Sequence, residues 1–503
     1  MNLHLALPVG TGTAHAAGMV LMYVYFAVLG ILCLYGLHRY LMLYLYYRHA
    51  RRAPKVQKTF DVLPSVTIQL PLYNEFYVAE RLIDAACAIE YPRDRFQVQV
   101  LDDSTDETWE AVRRKAEEWR ARGVDIEYIH RDERVGFKAG ALDHGLRTAK
   151  GQFVAIFDAD FIPPRDFLER TIHFFTDPRV GCVQTRWGHL NRDYSLLTRL
   201  QSIFLDGHFI MEHAARNRSG RFFNFSGTAG IWRREAIDDS GGWQHDTLTE
   251  DLDLSFRAQL RGWKFVFLPE VETPAELPVE MNGLKSQQHR WVKGSMQTSK
   301  KLLKDVLRAP IPLPVKIEGV IHLLGNTAYL LTFLLAALMF PVTWFRPRLE
   351  MKTSVILDLA VFTMATLSVC LFYMASQKEI YGFRGVLRTL LYTPMLLCMG
   401  IGMCLSNARA VLEGLLTRGG EFVRTPKYNI HSARDTFLGK KYRVTLQKII
   451  PFLELAVGIG FTWVVYYSFT HGMYGAIPFQ MLFLVGFLYV SFLSLFQGRL
   501  TPR

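Results

Sequence analysis

The chain predicts an α/β domain with a mostly parallel sheet, inserted between the apolar helices of a multi-pass membrane protein. Three observations carry this expectation. Uncharged apolar runs of membrane length occur only near the N-terminus and after Pro314. The stretch between them alternates strand-like and helix-like segments, and acidic or polar clusters follow the strand-like ones. Composition agrees: half of the residues are hydrophobic and 13% aromatic, yet 21% are charged, which suits a polar domain joined to apolar spans.

The first run, 17–37, carries no charge and ends at His38-Arg39. About 20 apolar residues cross the hydrocarbon core. Residues 1–16 contain no Lys or Arg, so the basic start of a cleaved signal peptide is missing. The expectation is one anchored span, residues 1–47, with its N-terminus outside and Arg48, Arg51, Arg52 and Lys55 inside.

Residues 52–310 form the expected catalytic domain. Val66-Thr-Ile-Gln-Leu70, Phe96-Gln-Val-Gln-Val-Leu101 and Phe153-Val-Ala-Ile-Phe157 read as strands rich in β-branched and aromatic residues. Charged amphipathic stretches such as 106–122 read as helices. Sheets built this way bind ligands at the carboxyl ends of their strands. Tyr73-Asn-Glu75, Asp102-Asp103 and Asp158-Ala-Asp160 stand at those ends.

Residues 311–503 form the expected C-terminal membrane region. Segments 319–345, 354–376, 389–408, 449–469 and 476–496 are each long enough to cross or nearly cross. The basic stretch 418–448 belongs on the cytoplasmic side, but three crossings before it would place it outside. Segment 389–408 is therefore expected to be interfacial or re-entrant: Pro394, Gly400 and Gly402 weaken a straight helix, and Arg388 and Arg409 bound it. The net charge of +12 follows the same topology, because the excess flanks the spans, and no nucleic-acid partner is expected. The six cysteines form no CxxC pair, which excludes a zinc or disulfide framework of the usual kind.

Candidate chemistry lies in a few short motifs. Two carboxylates one residue apart after a strand, Asp158 and Asp160, can face a diphosphate through one divalent cation, Mg2+ or Mn2+. The same pair also suits a solvated turn. Thr249-Glu250-Asp251 opens a helix, where acidic residues complement the dipole; Asp251 can also serve as a base toward a hydroxyl attacking an anomeric carbon. Gln287-x-x-Arg290-Trp291 offers a flat ring for a sugar and a guanidinium for phosphate, or equally an aromatic-basic interface anchor. Lys138 at a small-residue helix start suits a diphosphate, and Phe225-Ser-Gly-Thr-Ala229 lets backbone approach a ligand.

In this order, with Pro71-Leu-Tyr-Asn-Glu75, Asp102-Asp-Ser104 and Lys138-Ala-Gly140, the motifs resemble the family 2 processive glycosyltransferases, which include the cellulose, hyaluronan and chitin synthases. The resemblance is strongest to the plant cellulose synthase-like A and C proteins, through Ala155-Ile-Phe-Asp-Ala-Asp-Phe161, Gly227-Thr-Ala-Gly-Ile-Trp232 and Gln287-Gln-His-Arg-Trp291, and covers about residues 60–300.

The resemblance implies a GT-A fold and an inverting hexosyltransferase. Such an enzyme polymerises UDP-glucose, or alternatively GDP-mannose, into a β-linked polysaccharide and moves it across the bilayer. A non-processive enzyme adding one sugar to a lipid is the alternative. Tyr73, Glu75 and Asp102 would hold the nucleoside, Lys138 the diphosphate, Asp158 nucleotide and sugar, and Asp160 the metal. Asp251, with Glu250 beside it, would be catalytic; Gln287, Arg290 and Trp291 would grip the acceptor end and the diphosphate. Phe225–Ala229 would line the acceptor site, where Ser226 stands in place of the cysteine or asparagine of relatives, which leaves the choice of acceptor open. Phe422-Val-Arg-Thr-Pro-Lys427, within the loop 417–445, resembles a gating loop, which must face the cytoplasm with the catalytic domain. Export partners are left undefined.

Overall fold

The computed structural model describes residues 12–351, 354–420, 422–432, 434–442 and 449–500. The N-terminal segment 1–11 and residues 443–448, the end of the expected basic stretch, lie outside the described residues.

Seven strands form one mixed sheet: β1 (Val66–Leu72), β2 (Phe96–Asp102), β3 (Ile126–His130), β4 (Phe153–Ile156), β5 (Val180–His189), β6 (Gly230–Arg233) and β7 (Lys264–Ala275). Their order is β3-β2-β1-β4-β6-β5-β7. All neighbours run parallel except β6, which is antiparallel to both β4 and β5. The three expected strands are present. The other four were not anticipated, and β5 and β7 explain why: their pairing shifts register between Thr185 and Arg186, which breaks the simple alternation.

The two faces of β1 and β2 bury different chemistry. Val66, Ile68, Leu70, Val98 and Val100 pack on one side against the helices Ala79–Cys87 and Thr108–Ala121. On the other side Thr67 donates to Gln97 Oε1 (2.8 Å) and Gln69 Nε2 to Gln99 Oε1 (3.1 Å). Gln99 Nε2 in turn donates to Gly145 O (3.0 Å) in the helix Phe137–Leu146. These bonds supply partners to most of the buried polar row, although Gln69 Oε1 has none among the described residues. The row locks the helix that begins beside Lys138 onto the sheet. Gly145 is required for that approach, since a Cβ there would lie 2.6 Å from Gln69 Nε2.

Among the described residues, five helices are long and apolar enough to cross a membrane: Gly12–Arg48, Thr327–Phe345, Ile356–Gly402, Ile449–Thr470 and Tyr474–Gln497. The expected span 319–345 begins later, at Thr327. A separate helix, Leu313–Leu324, precedes it and carries the buried Glu318. Glu318 accepts from Arg216 Nε (3.0 Å) and His38 Nε2 (2.9 Å), so this turn is tied to the α/β domain and to the first helix.

The stretch from Ile356 to Gly402 is broken at Gly382 (φ 61°, ψ −153°), a conformation open to glycine. Residues after the break begin against the domain, where Arg199 Nη1 donates to Tyr392 Oη (2.8 Å). They return to it through the helix Cys404–Leu416, whose Ala410 and Val411 pack on Val292 and Met296. Both ends of the expected interfacial segment thus meet the same body. The last helix also ends there, with Gln497 Nε2 donating to Val279 O (2.6 Å).

Candidate active site

The carboxyl ends of the central strands open into a cleft. Tyr73, Glu75, Lys138, Asp158, Asp160, Glu250, Asp251, Gln287, Arg290 and Trp291 all line it. Sequence positions more than two hundred residues apart converge here: most follow a strand or open a helix at this edge, and Gln287, Arg290 and Trp291 are carried to it by one later helix.

Asp102 differs from expectation. Its side chain extends the row Phe96, Val98, Val100 and is fully buried. Its carboxylate accepts from Ser104 N (3.0 Å), Tyr128 Oη (2.8 Å) and His130 Nδ1 (3.0 Å). The neighbour on the cleft wall is Asp103, held by Arg131 Nη2 at 2.6 Å. Asp102 therefore supports the wall from behind, with its carboxylate taken up by protein donors and off the cleft surface.

At one end of the cleft aromatic and guanidinium groups form a stack. The Arg134 guanidinium sits 3.4 Å from the Tyr73 ring centroid. Phe137 and Phe422 stack at 6.0 Å and 27°. Arg290 lies over the other side of this pair, 4.2 Å from the Phe422 centroid. Glu75 accepts from Arg424 Nη1 at 2.7 Å. Burial pushes the Glu75 carboxyl up to about 7, with Arg424 opposing.

At the centre, Lys138 Nζ lies 2.5 Å from Asp158 Oδ1, 2.8 Å from Gly227 O and 4.0 Å from Glu250 Oε1. Burial alone would discharge this ammonium; the carboxylates of Asp158 and Glu250 outweigh it and raise its pKa. Asp158 is set by its own backbone, whose N–H donates to Thr228 Oγ1 (2.9 Å).

Asp251 opens the helix Glu250–Leu260, where Oδ1 accepts from Leu252 N at 2.8 Å. Its Oδ2 faces Gly227 (φ 82°), so closely that a Cβ on that glycine would be 3.1 Å away. Burial and then the Glu250 charge push Asp251 up to about 7. A carboxylate held there is a competent proton acceptor at neutral pH.

The helix Met281–Arg308 brings Gln287, Arg290 and Trp291 to the cleft on one face, as their spacing allows. It is seated against the Thr249 turn through Gly294, where a Cβ would come within 2.6 Å of Thr249 Cγ2. Trp291 stands 6.3 Å from Trp187, making an aromatic corner with Phe161 and Phe209.

Residues 422–428 close the cleft. Lys427 Nζ donates to Asp160 Oδ2 at 2.6 Å, and Tyr428 N to Glu276 Oε1 at 2.7 Å. Tyr428, Ile430 and Phe437 are buried against Val279. Thr425 Oγ1 and Glu276 Oε2, both buried and both belonging to residues on the cleft wall, have no protein partner among the described residues. Unpaired buried polar atoms cost stability unless a ligand satisfies them. No cluster of three or more His, Cys, Asp or Glu able to hold a metal occurs among the described residues. Asp158 and Asp160 could hold a divalent cation only if its remaining ligands were supplied from outside the protein, as phosphate oxygens and water would be.

Sequence reasoning missed Arg134, Trp187, His189 and Glu276 in this site. Trp187 and His189 end β5, Glu276 follows β7, and neither strand was recognised. Arg134 stands two residues before the Gly136 turn and gave no signal of its own.

A GT-A-type sheet with carboxylates gathered at its strand ends is the arrangement of a glycosyltransferase. The comparisons agree on the family. Residues 64–294 match the family model described as "Glycosyltransferase like family 2". Glucomannan 4-beta-mannosyltransferase 7 of Arabidopsis thaliana is 35% identical over 444 residues, covering 85% of this chain and 77% of that protein. Glucomannan 4-beta-mannosyltransferase 1 of Oryza sativa subsp. japonica is 42% identical over 302 residues, covering 58% of this chain and 57% of that protein. The match thus spans little more than half of the second relative's length. A mannosyltransferase from Pyrobaculum calidifontis, solved with GDP-Man and Mn2+, superposes with a TM-score of 0.47 at 22% identity, over 79% of this chain and 98% of that one. The chain belongs to the family 2 glycosyltransferases.

Proposed function

We propose that the chain is an inverting hexosyltransferase that extends a β-linked polysaccharide at a membrane, with GDP-mannose as the leading donor. The placement of Asp251 carries this reading: a base with a pKa pushed up to about 7, beside Lys138 and Asp158, on the wall shared with Gln287, Arg290 and Trp291. The names of the curated relatives favour mannose over the glucose first expected.

In this account Tyr73, with Arg134 over its ring, and Glu75 hold the nucleoside. Lys138 and Arg290 offset the diphosphate, and Trp291 with Gln287 seats the acceptor end. Asp158 and Asp160 would hold Mg2+ or Mn2+, which when bound offsets charge on the leaving diphosphate. An acceptor hydroxyl oxygen attacks the anomeric carbon as the bond to the diphosphate breaks. Its proton passes to Asp251 Oδ2. A single base and in-line attack give inversion. The α/β domain, about residues 52–310, would face the cytoplasm between the first helix, about residues 1–47, and the C-terminal helices. The basic loop at the cleft supports that orientation. The bilayer-spanning helices would pass the growing chain outward.

Purified full-length protein in detergent or vesicles, given GDP-[14C]mannose or UDP-[14C]glucose with Mg2+ or Mn2+, tests the reading. Label in long chains cut by endo-β-mannanase is expected. Label only in single-sugar lipids would replace it with the non-processive reading.

A further inference from the structure

One wall of the cleft is held by a histidine that the mechanism above does not use. The segment Gly207–His213 is a π-helical turn following the helix Leu196–Asp206. Such turns insert an extra residue and re-aim a side chain, often at functional sites. Here it turns His213 inward, fully buried among the rings of Phe209, Phe223 and Phe267, each with its centroid 5.3 Å away.

His213 Nε2 lies 3.0 Å from Asn224 O and 3.3 Å from Ser226 Oγ. A carbonyl oxygen only accepts, so Nε2 carries the hydrogen. Burial, with His208 and Arg216 adding like charge, holds the imidazole well below its ordinary value, and the ring is neutral. The Nε2–H is therefore shared between Asn224 O and Ser226 Oγ, and the serine oxygen is an acceptor in this contact. Ser226 N meanwhile donates to Gln184 Oε1 at 2.9 Å, which fixes the backbone.

A hydroxyl that accepts from one side has one hydrogen left to give. Among the described residues no protein acceptor is within reach of it, and Ser226 lines the cleft. The next residue is Gly227, which abuts Asp251 Oδ2. A hexose whose hydroxyl gives its proton to Asp251 must sit about 3 Å from that oxygen, and so beside Ser226.

We propose that His213 is a positioning residue that fixes Ser226 as a hydrogen-bond donor to an oxygen of the acceptor hexose, and that this pair selects and orients the acceptor at Asp251. The inference rests on the reading of the cleft as a transferase with a sugar acceptor.

The test measures KM for a β-linked manno-oligosaccharide acceptor and KM for GDP-mannose separately. Ser226→Ala is expected to raise the acceptor KM about three- to tenfold, the range of one lost hydrogen bond, with a smaller change in the donor KM. Ser226→Thr keeps the hydroxyl and should restore the acceptor KM. His213→Gln can still present an N–H where Nε2 was, so it should stay near wild type, whereas His213→Phe should repeat Ser226→Ala. An unchanged acceptor KM in Ser226→Ala, or a change confined to the donor KM, would overturn the proposal. So would equal values for His213→Gln and His213→Phe where both bind nucleotide as wild type does. Absence of transfer by the wild-type chain with every donor would instead remove the transferase reading on which the pair depends.

Discussion

Lys427 Nζ lies 2.6 Å from Asp160 Oδ2 and also bonds Glu276 O, placing an ammonium on the carboxylate that the site offers to a metal. Residues 267 positions apart in sequence thus share one charge-neutralising contact. If Asp160 holds a divalent ion as proposed, the loop cation and that ion would compete for the same oxygen. Lys427→Ala is expected to lower the half-saturating Mn2+ concentration, measured with nucleoside diphosphate present, by about three- to tenfold, the scale of one charge-assisted bond. An unchanged or raised value would separate loop and metal.

The acid limb of activity should report Asp251. Only the deprotonated carboxylate takes a proton, and its pKa is pushed up to about 7 by burial and Glu250. Transfer should therefore rise as pH climbs through about 7 and fall roughly tenfold per unit well below it. A pH–rate profile of kcat/KM checks this. A limb near the ordinary aspartate range of about 4 would contradict it.

Gly227 holds the base at close range. Its φ of 82° favours glycine, and a Cβ would stand 3.1 Å from Asp251 Oδ2. Gly227→Ala should cut transfer by at least about tenfold, since left-handed strain costs on the order of 1–3 kcal/mol. Circular dichroism should show the fold retained.

Three strands and the apolar helices of this protein are legible in its sequence, and so are the cleft residues that stand in short motifs. Short motifs at strand ends need only local chemistry to be noticed. Asp102 shows the limit: it is in phase with the buried Val98 and Val100, so alternation already pointed it away from the cleft, whereas the family pattern alone pointed it in. The break at Gly382 falls between the expected segments 354–376 and 389–408, beside Lys378, Glu379, Arg384 and Arg388, so composition marks its place although hydropathy carries no backbone angle. Partners such as Arg134 on Tyr73 or His213 on Ser226 arise only from packing between elements, and no local spacing announces them.

The Arg134 stack predicts a donor effect. A guanidinium on an aromatic face contributes roughly 0.5–2 kcal/mol. Arg134→Ala should weaken nucleoside diphosphate binding by about three- to tenfold in calorimetry, and Arg134→Lys should recover only part of it because ammonium does not stack. Equal affinity in all three proteins would remove Arg134 from the nucleoside end.

The junction between domain and membrane helices predicts a stability effect. Glu318 is 1% exposed and bonds both Arg216 and His38. Removing one partner of a buried pair costs about 3–5 kcal/mol. Glu318→Ala should lower the unfolding temperature in detergent by several degrees, and the double variant with Arg216→Met should recover part of the loss.

The most direct test of the central claim is transfer by Asp251→Asn. Purified variant and wild type are compared for GDP-mannose binding and for label incorporated into polymer. Loss of the base should reduce incorporation by about 10²- to 10⁴-fold while binding stays within about threefold. Incorporation within tenfold of wild type would contradict the assignment of Asp251 as the catalytic base.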